Sequence, residues 1–178
     1  MSVVLDIGSR VAAAIRDVPD FPKPGIIFKD ITPVLLDASL FRDATDAMGA
    51  PFASDRISHV VAIESRGFIL GAPVAQSLGA ALVPFRKPGK LPHLVERIEY
   101  ALEYGLDALE CHRDALKAGH RVLVVDDVLA TGGTAAAACA LVESLGATVQ
   151  GCSVLVELAF LEGRKRLGGR RIEQVVRY

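Results

Sequence analysis

The sequence is poor in cysteine, has no long apolar run and carries no excess of one charge. Its cysteines, Cys111, Cys139 and Cys152, are odd in number and form no C-x-x-C pair, which argues against a disulfide framework and a cysteine-based zinc site. No stretch reaches the ~18 apolar residues that a membrane helix needs, and Asp6 interrupts the N-terminal apolar segment where a signal peptide would continue. These absences predict a cytoplasmic protein with no membrane partner.

The balance of charge excludes a general affinity for polyanions. The 20 Lys and Arg residues are matched by 21 Asp and Glu residues, so the formal net charge is -1. Without a basic excess, nucleic acid is not an expected partner, and any anion-binding site must be local. Hydrophobic residues make up 51% of the 178 residues, a chain long enough for one core but too short for two enzyme domains. We therefore expect one domain over residues 1–178.

A regular alternation of strands and helices begins at residue 59. Runs of β-branched residues predict strands at 59–63, 80–86, 121–126, 149–158 and 172–176, with helices at 67–78 and 133–145 between them. Such apolar runs are typical of parallel strands buried on both faces. The pattern predicts an α/β fold with a doubly wound, mainly parallel sheet flanked by helices, whose ligands bind at the carboxyl ends of the strands.

Two segments lie outside this alternation. The first begins with an amphipathic helix predicted over residues 2–17 and continues with an extended stretch at 25–33 and a helix at 39–53, for which Ser39 is a suitable N-cap. The second is a loop rich in Pro, Gly and Lys at 87–93, followed by two polar-apolar stretches up to Glu110. A loop of this composition followed by extended segments is typical of a flap over a site.

The most informative stretch is residues 122–134. Four apolar residues deliver Asp126 and Asp127 to a strand end, and the turn Thr131-Gly132-Gly133-Thr134 then opens a helix. Glycines let backbone N–H groups approach an anion, the helix start adds positive dipole, and threonine hydroxyls complete a phosphate cradle. The carboxylates would repel phosphate, so they must face sugar hydroxyls or a Mg²⁺ shell. A ribose 5-phosphate satisfies both demands, although an ordinary strand-turn-helix is the alternative.

Cations cluster after two other predicted strands. Arg66 follows Glu64 and Ser65 at one strand end, and Arg86, Lys87 and Lys90 lie on the Pro/Gly loop after the next strand. A solvated surface cluster is the usual interpretation of such charges. In an almost neutral chain, the same residues are suited to closing over a diphosphate.

Residues 122–134 closely resemble the phosphoribosyl pyrophosphate motif of the type I phosphoribosyltransferases, and residues 63–68 resemble the pyrophosphate loop of that family. The resemblance implies the type I phosphoribosyltransferase fold and a cis peptide bond at Glu64–Ser65. It assigns the ribose hydroxyls and 5-phosphate to Asp126, Asp127, Ala130, Thr131, Gly132, Gly133 and Thr134. It assigns the pyrophosphate to Glu64, Ser65, Arg66, Arg86, Lys87 and Lys90.

Three further stretches resemble adenine phosphoribosyltransferases: residues 21–33 their N-terminal hood, 102–105 their catalytic loop and 155–158 the segment that ends near the base. The hood with its helix would span about residues 1–35 and the flexible flap about residues 86–104. By resemblance, Phe28 and Leu161 sandwich the purine while Ile27 and Lys29 read its edge. The catalytic residues are Glu103, Arg66 and Lys90. From the residues alone, Phe28 could belong to the core and Glu103 to a solvated flap.

The resemblance implies transfer of the phosphoribosyl group from phosphoribosyl pyrophosphate to adenine, giving AMP and pyrophosphate in purine salvage. Mg²⁺ is the implied cofactor, held mainly through the substrate without direct protein ligands, and a homodimer is implied as well. Two alternatives stay open: a phosphoribosyltransferase for another base, and a non-catalytic regulator that senses phosphoribosyl pyrophosphate. The regulator would need an added DNA-binding module or a basic face, and neither is evident in the sequence.

Overall fold

The computed structural model describes residues 6–102 and 105–178. The helices are α1 (Ile7–Ala14), α2 (Thr32–Leu36), α3 (Ala38–Gly49), α4 (Arg66–Leu78) and α5 (Gly133–Ser144). The strands are β1 (Arg16–Pro19), β2 (Ile27–Asp30), β3 (His59–Ile63), β4 (Ala81–Phe85), β5 (Val95–Leu102), β6 (Gly105–His112), β7 (Arg121–Leu129), β8 (Thr148–Glu157) and β9 (Ile172–Arg177). Short 3₁₀ helices lie at Ala50–Phe52, Ala159–Leu161 and Gly163–Leu167.

The centre of the fold is a five-stranded sheet in the order β4-β3-β7-β8-β9. Every neighbouring pair in it is parallel, and the β7–β8 register shifts once, between Val122 and Leu123. Continuous apolar runs in the sequence predict parallel strands of this kind, and the doubly wound α/β sheet is confirmed. Strand β7 continues to Leu129, so the acidic pair lies within the strand and not after it.

The core consists of two apolar clusters, one on each face of the sheet. Val122 and Val124 belong to the cluster that contains α5, whereas Leu123 and Val125 belong to the cluster that contains α3 and α4. Successive side chains of a strand point to opposite faces, so one continuous apolar run can fill both layers. Among the described residues, no helix is long and apolar enough to cross a membrane.

Two expectations for the N-terminal part were wrong in detail. The helix predicted over residues 2–17 ends at Ala14, and Arg16–Pro19 instead pairs as an antiparallel strand with Ile27–Asp30. The helix predicted at 39–53 begins at Ala38 and is capped by Asp37, whose carboxylate accepts hydrogen bonds from the Ser39 N–H at 2.9 Å and the Leu40 N–H at 3.0 Å. Asp37 therefore takes the capping role that was predicted for Ser39.

The segment predicted as a flap contains a two-stranded antiparallel hairpin formed by β5 and β6. It is joined to the sheet edge by two backbone hydrogen bonds of 2.8 Å, which Arg86 and Glu110 exchange after the end of β4. The hairpin extends to His112, beyond the boundary of residue 104 expected from the sequence.

Candidate active site

A cavity of about 450 Å³ opens at the carboxyl ends of β3 and β7, beside β2. Parallel strands bring their carboxyl ends to one edge of a sheet, so polar residues that follow different strands meet there. The cavity collects residues from each of the groups that the sequence assigned to donor and base. Those lining it are Ile27, Phe28, Lys29, Glu64, Ser65, Arg66, Lys87, Asp126, Asp127, Ala130, Thr134 and Leu161.

The acidic pair forms the floor of this cavity. Asp127 is 5% exposed, its backbone N–H donates to Asp126 Oδ1 at 2.9 Å, and its side chain accepts a hydrogen bond from Arg66 Nε. Burial raises the pKa of Asp126 well above its usual value, and the charge of Asp127 raises it further. A cation or hydroxyl donors that approach the pair would favour the ionised form of Asp126.

The turn at residues 130–134 borders a smaller cavity of about 80 Å³ at the start of α5. Gly132 has φ +81°, a left-handed conformation that disfavours other residues, and a Cβ there would overlap the carbonyl oxygen of Gly163. Gly163 is equally constrained, because its own Cβ would overlap the carbonyl oxygen of Ala130. The two segments therefore approach backbone to backbone. The first turn of α5, whose N–H groups have no partner within the helix, borders this smaller cavity.

The loop after β3 lies directly against the acidic pair. Its Glu64–Ser65 peptide bond is cis, as the resemblance implied. At Gly67, the chain after this loop lies close to β7: a Cβ there would be 3.0 Å from Asp126 Oδ1 and 3.1 Å from the carbonyl oxygen of Val125. The ends of β3 and β7 thus place the two predicted loops side by side.

Glu64 binds three residues of the segment after β4 through its carboxylate. Its side chain is 9% exposed and accepts hydrogen bonds from Lys90 Nζ, from Arg86 Nε at 3.3 Å and from the Lys87 N–H at 2.9 Å. Burial alone would raise the pKa of Glu64, but these hydrogen bonds and charges lower it overall. Arg86 and Lys90 point toward this carboxylate and do not line the cavity.

In addition to Lys29 in the hood, two cations line the cavity, Arg66 and Lys87, and both have carboxylate partners. Arg66 donates to Asp127, and Lys87 Nζ donates to Asp107 and, at 2.9 Å, to the hydroxyl of Tyr100. A diphosphate that enters must share these cations with the resident carboxylates or displace them. The sequence predicted the cations at this edge of the sheet but not their partners.

Phe28 stands at the cavity wall and does not belong to the buried core. Its ring makes an edge contact with Phe21 at a centroid distance of 5.1 Å, and the Arg66 guanidinium lies 5.5 Å from its centroid. Leu161, which is 37% exposed, lines the same cavity from the 3₁₀ helix after β8. The structure therefore brings together the two side chains that were predicted to hold a flat base.

The side chain of Lys29 contacts residues of β1 and of the C-terminus. Its Nζ lies 2.7 Å from an oxygen of Asp17 and 3.9 Å from the ring centroid of Tyr178, the last residue of the chain. The side chain therefore ties β2 to β1 and to the C-terminus. The ammonium of Lys29 is therefore not available to contact a base in this conformation.

Glu103 lies outside the described residues. On either side of it, the hairpin supplies two residues that sequence reasoning missed: Tyr100 and Asp107 are direct cross-strand partners that bind Lys87. Their polar side chains were visible in the sequence, but their pairing depends on a strand register that the sequence does not specify.

The described part of the chain contains no group of three or more His, Cys, Asp or Glu residues able to hold a metal ion. The acidic pair supplies only two carboxylates, and the three cations that line the cavity, Lys29, Arg66 and Lys87, would oppose a divalent ion without anionic ligands of its own. These residues would fit Mg²⁺ that takes its ligands mainly from substrate oxygens and water.

The parallel sheet, the acidic pair in β7 and the Gly/Thr turn at the start of α5 together have the arrangement of the phosphoribosyltransferase class. A family model described as "Phosphoribosyl transferase domain" matches residues 41–173, which covers most of the chain and includes the acidic pair, the Gly/Thr turn and the loops after β3 and β4.

Individual relatives narrow this class. An adenine phosphoribosyltransferase of Myxococcus xanthus is 55% identical, covering 99% of this chain and 94% of its own. The crystal structure of the enzyme of that name from Rhodothermus marinus is 51% identical with a TM-score of 0.92, covering 97% of this chain and 98% of its own. The crystal structure of the adenine phosphoribosyltransferase from Saccharomyces cerevisiae is 38% identical with a TM-score of 0.90, covering 95% of this chain and 98% of its own. The chain belongs to the adenine phosphoribosyltransferase family.

Proposed function

We propose that the cavity transfers the phosphoribosyl group of phosphoribosyl pyrophosphate to adenine, producing AMP and pyrophosphate in purine salvage. The observation that carries the proposal is the meeting of three groups in one cavity: the acidic pair, the Gly/Thr turn, and the side chains of Phe28 and Leu161. The relative from Saccharomyces cerevisiae, whose crystal structure is complexed with adenine and an imino-altritol bisphosphate, supports the same pair of substrates.

The donor sugar would lie across the end of β7. Asp126 and Asp127 would accept hydrogen bonds from its ribose hydroxyls, because carboxylates cannot face the phosphate directly. The 5-phosphate would occupy the smaller cavity at the start of α5, where backbone N–H groups and the helix dipole favour an anion. The residues that would bind it are Ala130, Thr131, Gly132, Gly133 and Thr134.

The diphosphate would lie between the loop after β3 and the loop after β4. Ser65, Arg66 and Lys87 line the cavity and would contact it directly. Arg86 and Lys90 would complete the group, and Glu64 would act by orienting these two cations. Arg66 and Lys90 would stabilise the charge that develops on pyrophosphate as it leaves, which is the role of a catalytic cation.

The base would lie between Phe28 and Leu161, with the backbone of Ile27 and Lys29 at its polar edge. In the reaction, a ring nitrogen of adenine forms a bond to the anomeric carbon while the bond from that carbon to the diphosphate oxygen breaks. The nitrogen gives up its proton, and we assign Glu103 as the acceptor. A positioned carboxylate typically contributes ~10²- to 10⁴-fold in such a step.

Mg²⁺ belongs to this proposal as a cofactor held mainly through the substrate. Asp126 and Asp127 would hold it through the ribose hydroxyls. When bound, the ion neutralises negative charge on the leaving diphosphate. We also propose that the protein is a cytoplasmic homodimer, which light scattering coupled to gel filtration would test.

The test is an assay of AMP and pyrophosphate formation with adenine, repeated with hypoxanthine, xanthine and orotate. Adenine should be preferred by a wide margin, because a site built around specific polar edges rejects mismatched bases. The Asp127→Asn and Glu103→Gln variants should lose most of their turnover while staying folded. Unimpaired turnover in both variants contradicts the site assignment, and binding of phosphoribosyl pyrophosphate without turnover by the unmodified protein indicates a sensor.

A further inference from the structure

The position of Lys87 in the cavity wall depends on the hairpin. Its Nζ donates hydrogen bonds to the Tyr100 hydroxyl at 2.9 Å and to Asp107 Oδ2, and its backbone N–H donates to Glu64 at 2.9 Å. A lysine side chain has four rotatable bonds, so without partners its ammonium would sample many positions. Here both the backbone and the ammonium are anchored.

The hydroxyl of Tyr100 has its full hydrogen-bonding capacity satisfied. It donates to Asp107 Oδ2 at 3.1 Å, and it accepts from Lys87 Nζ and from Thr134 Oγ1, the latter at 3.3 Å. A phenolic hydroxyl has one donor and two acceptor positions, so these three contacts complete the set. Tyr100 thereby joins a residue assigned to pyrophosphate with a residue assigned to the 5-phosphate.

Asp107 is fixed independently of its contact with Lys87. It is the cross-strand partner of Tyr100, and its second oxygen, Oδ1, accepts the N–H of Ala108 at 2.8 Å. Burial alone would raise the pKa of Asp107, but the hydrogen bonds from Lys87 and Ala108 lower it overall. Burial alone would likewise lower the pKa of Lys87, yet the bonds to Asp107 and Tyr100 raise it. Both side chains are therefore held in their charged forms.

We infer that Tyr100 and Asp107 are positioning residues that aim Lys87 at the diphosphate and fix its distance from the 5-phosphate turn through Thr134. This inference rests on the proposed function and assigns the hairpin a part in it. A donor must carry both anionic groups at the matching separation to satisfy the two ends of this chain of contacts.

The test compares the Asp107→Asn and Tyr100→Phe variants with Glu99→Gln, a control on the same hairpin. Glu99 is exposed and pairs with Arg97 away from the cavity. Removing one partner of a charged hydrogen bond should raise the KM for phosphoribosyl pyrophosphate about 10-fold in Asp107→Asn and about 3-fold in Tyr100→Phe. The KM for adenine and the thermal midpoint should match those of the control.

Non-additivity separates positioning from a general structural role. In a Lys87→Met background, Asp107→Asn should cause no further increase in that KM, because the residue that it positions is absent. An additional 10-fold loss in the double variant, or an equal rise in the KM for adenine, would overturn the inference. An unmodified protein that does not turn over adenine would instead overturn the proposed function, since the comparison requires an active parent.

Discussion

The two ends of the central sheet serve different purposes. At the amino ends of the strands, backbone hydrogen bonds connect the entry segments: the Ser58 N–H donates to the Arg121 carbonyl, the Ala81 N–H to the Ser58 carbonyl, and the Thr148 N–H to the His120 carbonyl, each at 2.9 Å. At the carboxyl ends, the strands lead into loops that diverge around a cavity of about 450 Å³.

The side chains follow the same division. At the amino end, the rings of His59 and His120 stack with centroids 3.8 Å apart. At the carboxyl end, Arg66 donates to Asp127 in the wall of the cavity that we propose binds a charged substrate. The comparison teaches that activity depends on one end of the sheet. Changes at the carboxyl end should impair the reaction, and changes at the amino end should alter stability without impairing the reaction.

The largest effect is expected for Asp127→Asn at the carboxyl end. The substitution removes the buried anion that we propose as acceptor for the ribose hydroxyls, and it releases Arg66, whose half-exposed side chain water can solvate. We expect kcat/KM to fall by about 10²- to 10³-fold with little change in thermal midpoint, the scale observed when one preorganised polar contact is removed. Steady-state kinetics measure this, and a loss below threefold would break the comparison.

Gly132→Ala should affect both activity and stability. The added Cβ requires a strained left-handed alanine and also overlaps the Gly163 carbonyl, so we expect a loss of about 2–4 kcal/mol in the free energy of unfolding. Gly79→Ala is the matched control, since Gly79 has φ +64° with nothing within 4 Å of its Cβ position. It should cost about 1 kcal/mol by denaturant titration. Equal costs in the two variants would contradict the backbone contact described at Gly163.

Phe28→Ala should produce a smaller and more selective effect. Loss of the ring removes one side of the proposed base site. Stacking on an aromatic side chain is worth about 1–3 kcal/mol per base, so the KM for adenine should rise about 10-fold or more. The KM for phosphoribosyl pyrophosphate should stay unchanged. Phe21→Ala, which removes a ring that touches Phe28 without lining the cavity, should have a weaker effect. A larger rise in Phe21→Ala would contradict the assignment of the base site.

The smallest effect is expected at the amino end, for His59→Gln. Burial, with a further contribution from the charge of His120, lowers the pKa of His59 below its usual 6.5. The unfolded chain therefore binds this proton more readily, so stability should decrease as the pH falls below about 6.5 and through the lowered pKa. His59→Gln should flatten that decrease in thermal midpoint while turnover at neutral pH stays unchanged. An unaltered pH dependence contradicts this account of His59.

Local motifs could be predicted because their parts are adjacent in the chain. The acidic pair and the Gly/Thr turn each occupy a few consecutive residues, and the cis bond at Glu64–Ser65 was implied by the family resemblance. The partners of the cations could not be predicted, because they are distant in the sequence. Lys90 binds Glu64, which precedes it, and Lys87 binds Asp107, whose position depends on the register of the β5–β6 hairpin. The strand at Arg16–Pro19 was missed for the same reason, since its partner lies at Ile27–Asp30.

Calorimetric titration with phosphoribosyl pyrophosphate at millimolar Mg²⁺ tests most directly whether the carboxyl end of the sheet is the donor site. The unmodified protein and His59→Gln should give the same saturable heat, with one donor bound per chain, and Asp127→Asn should bind far more weakly. Absence of binding by the unmodified protein, or equal binding by Asp127→Asn, would contradict the account.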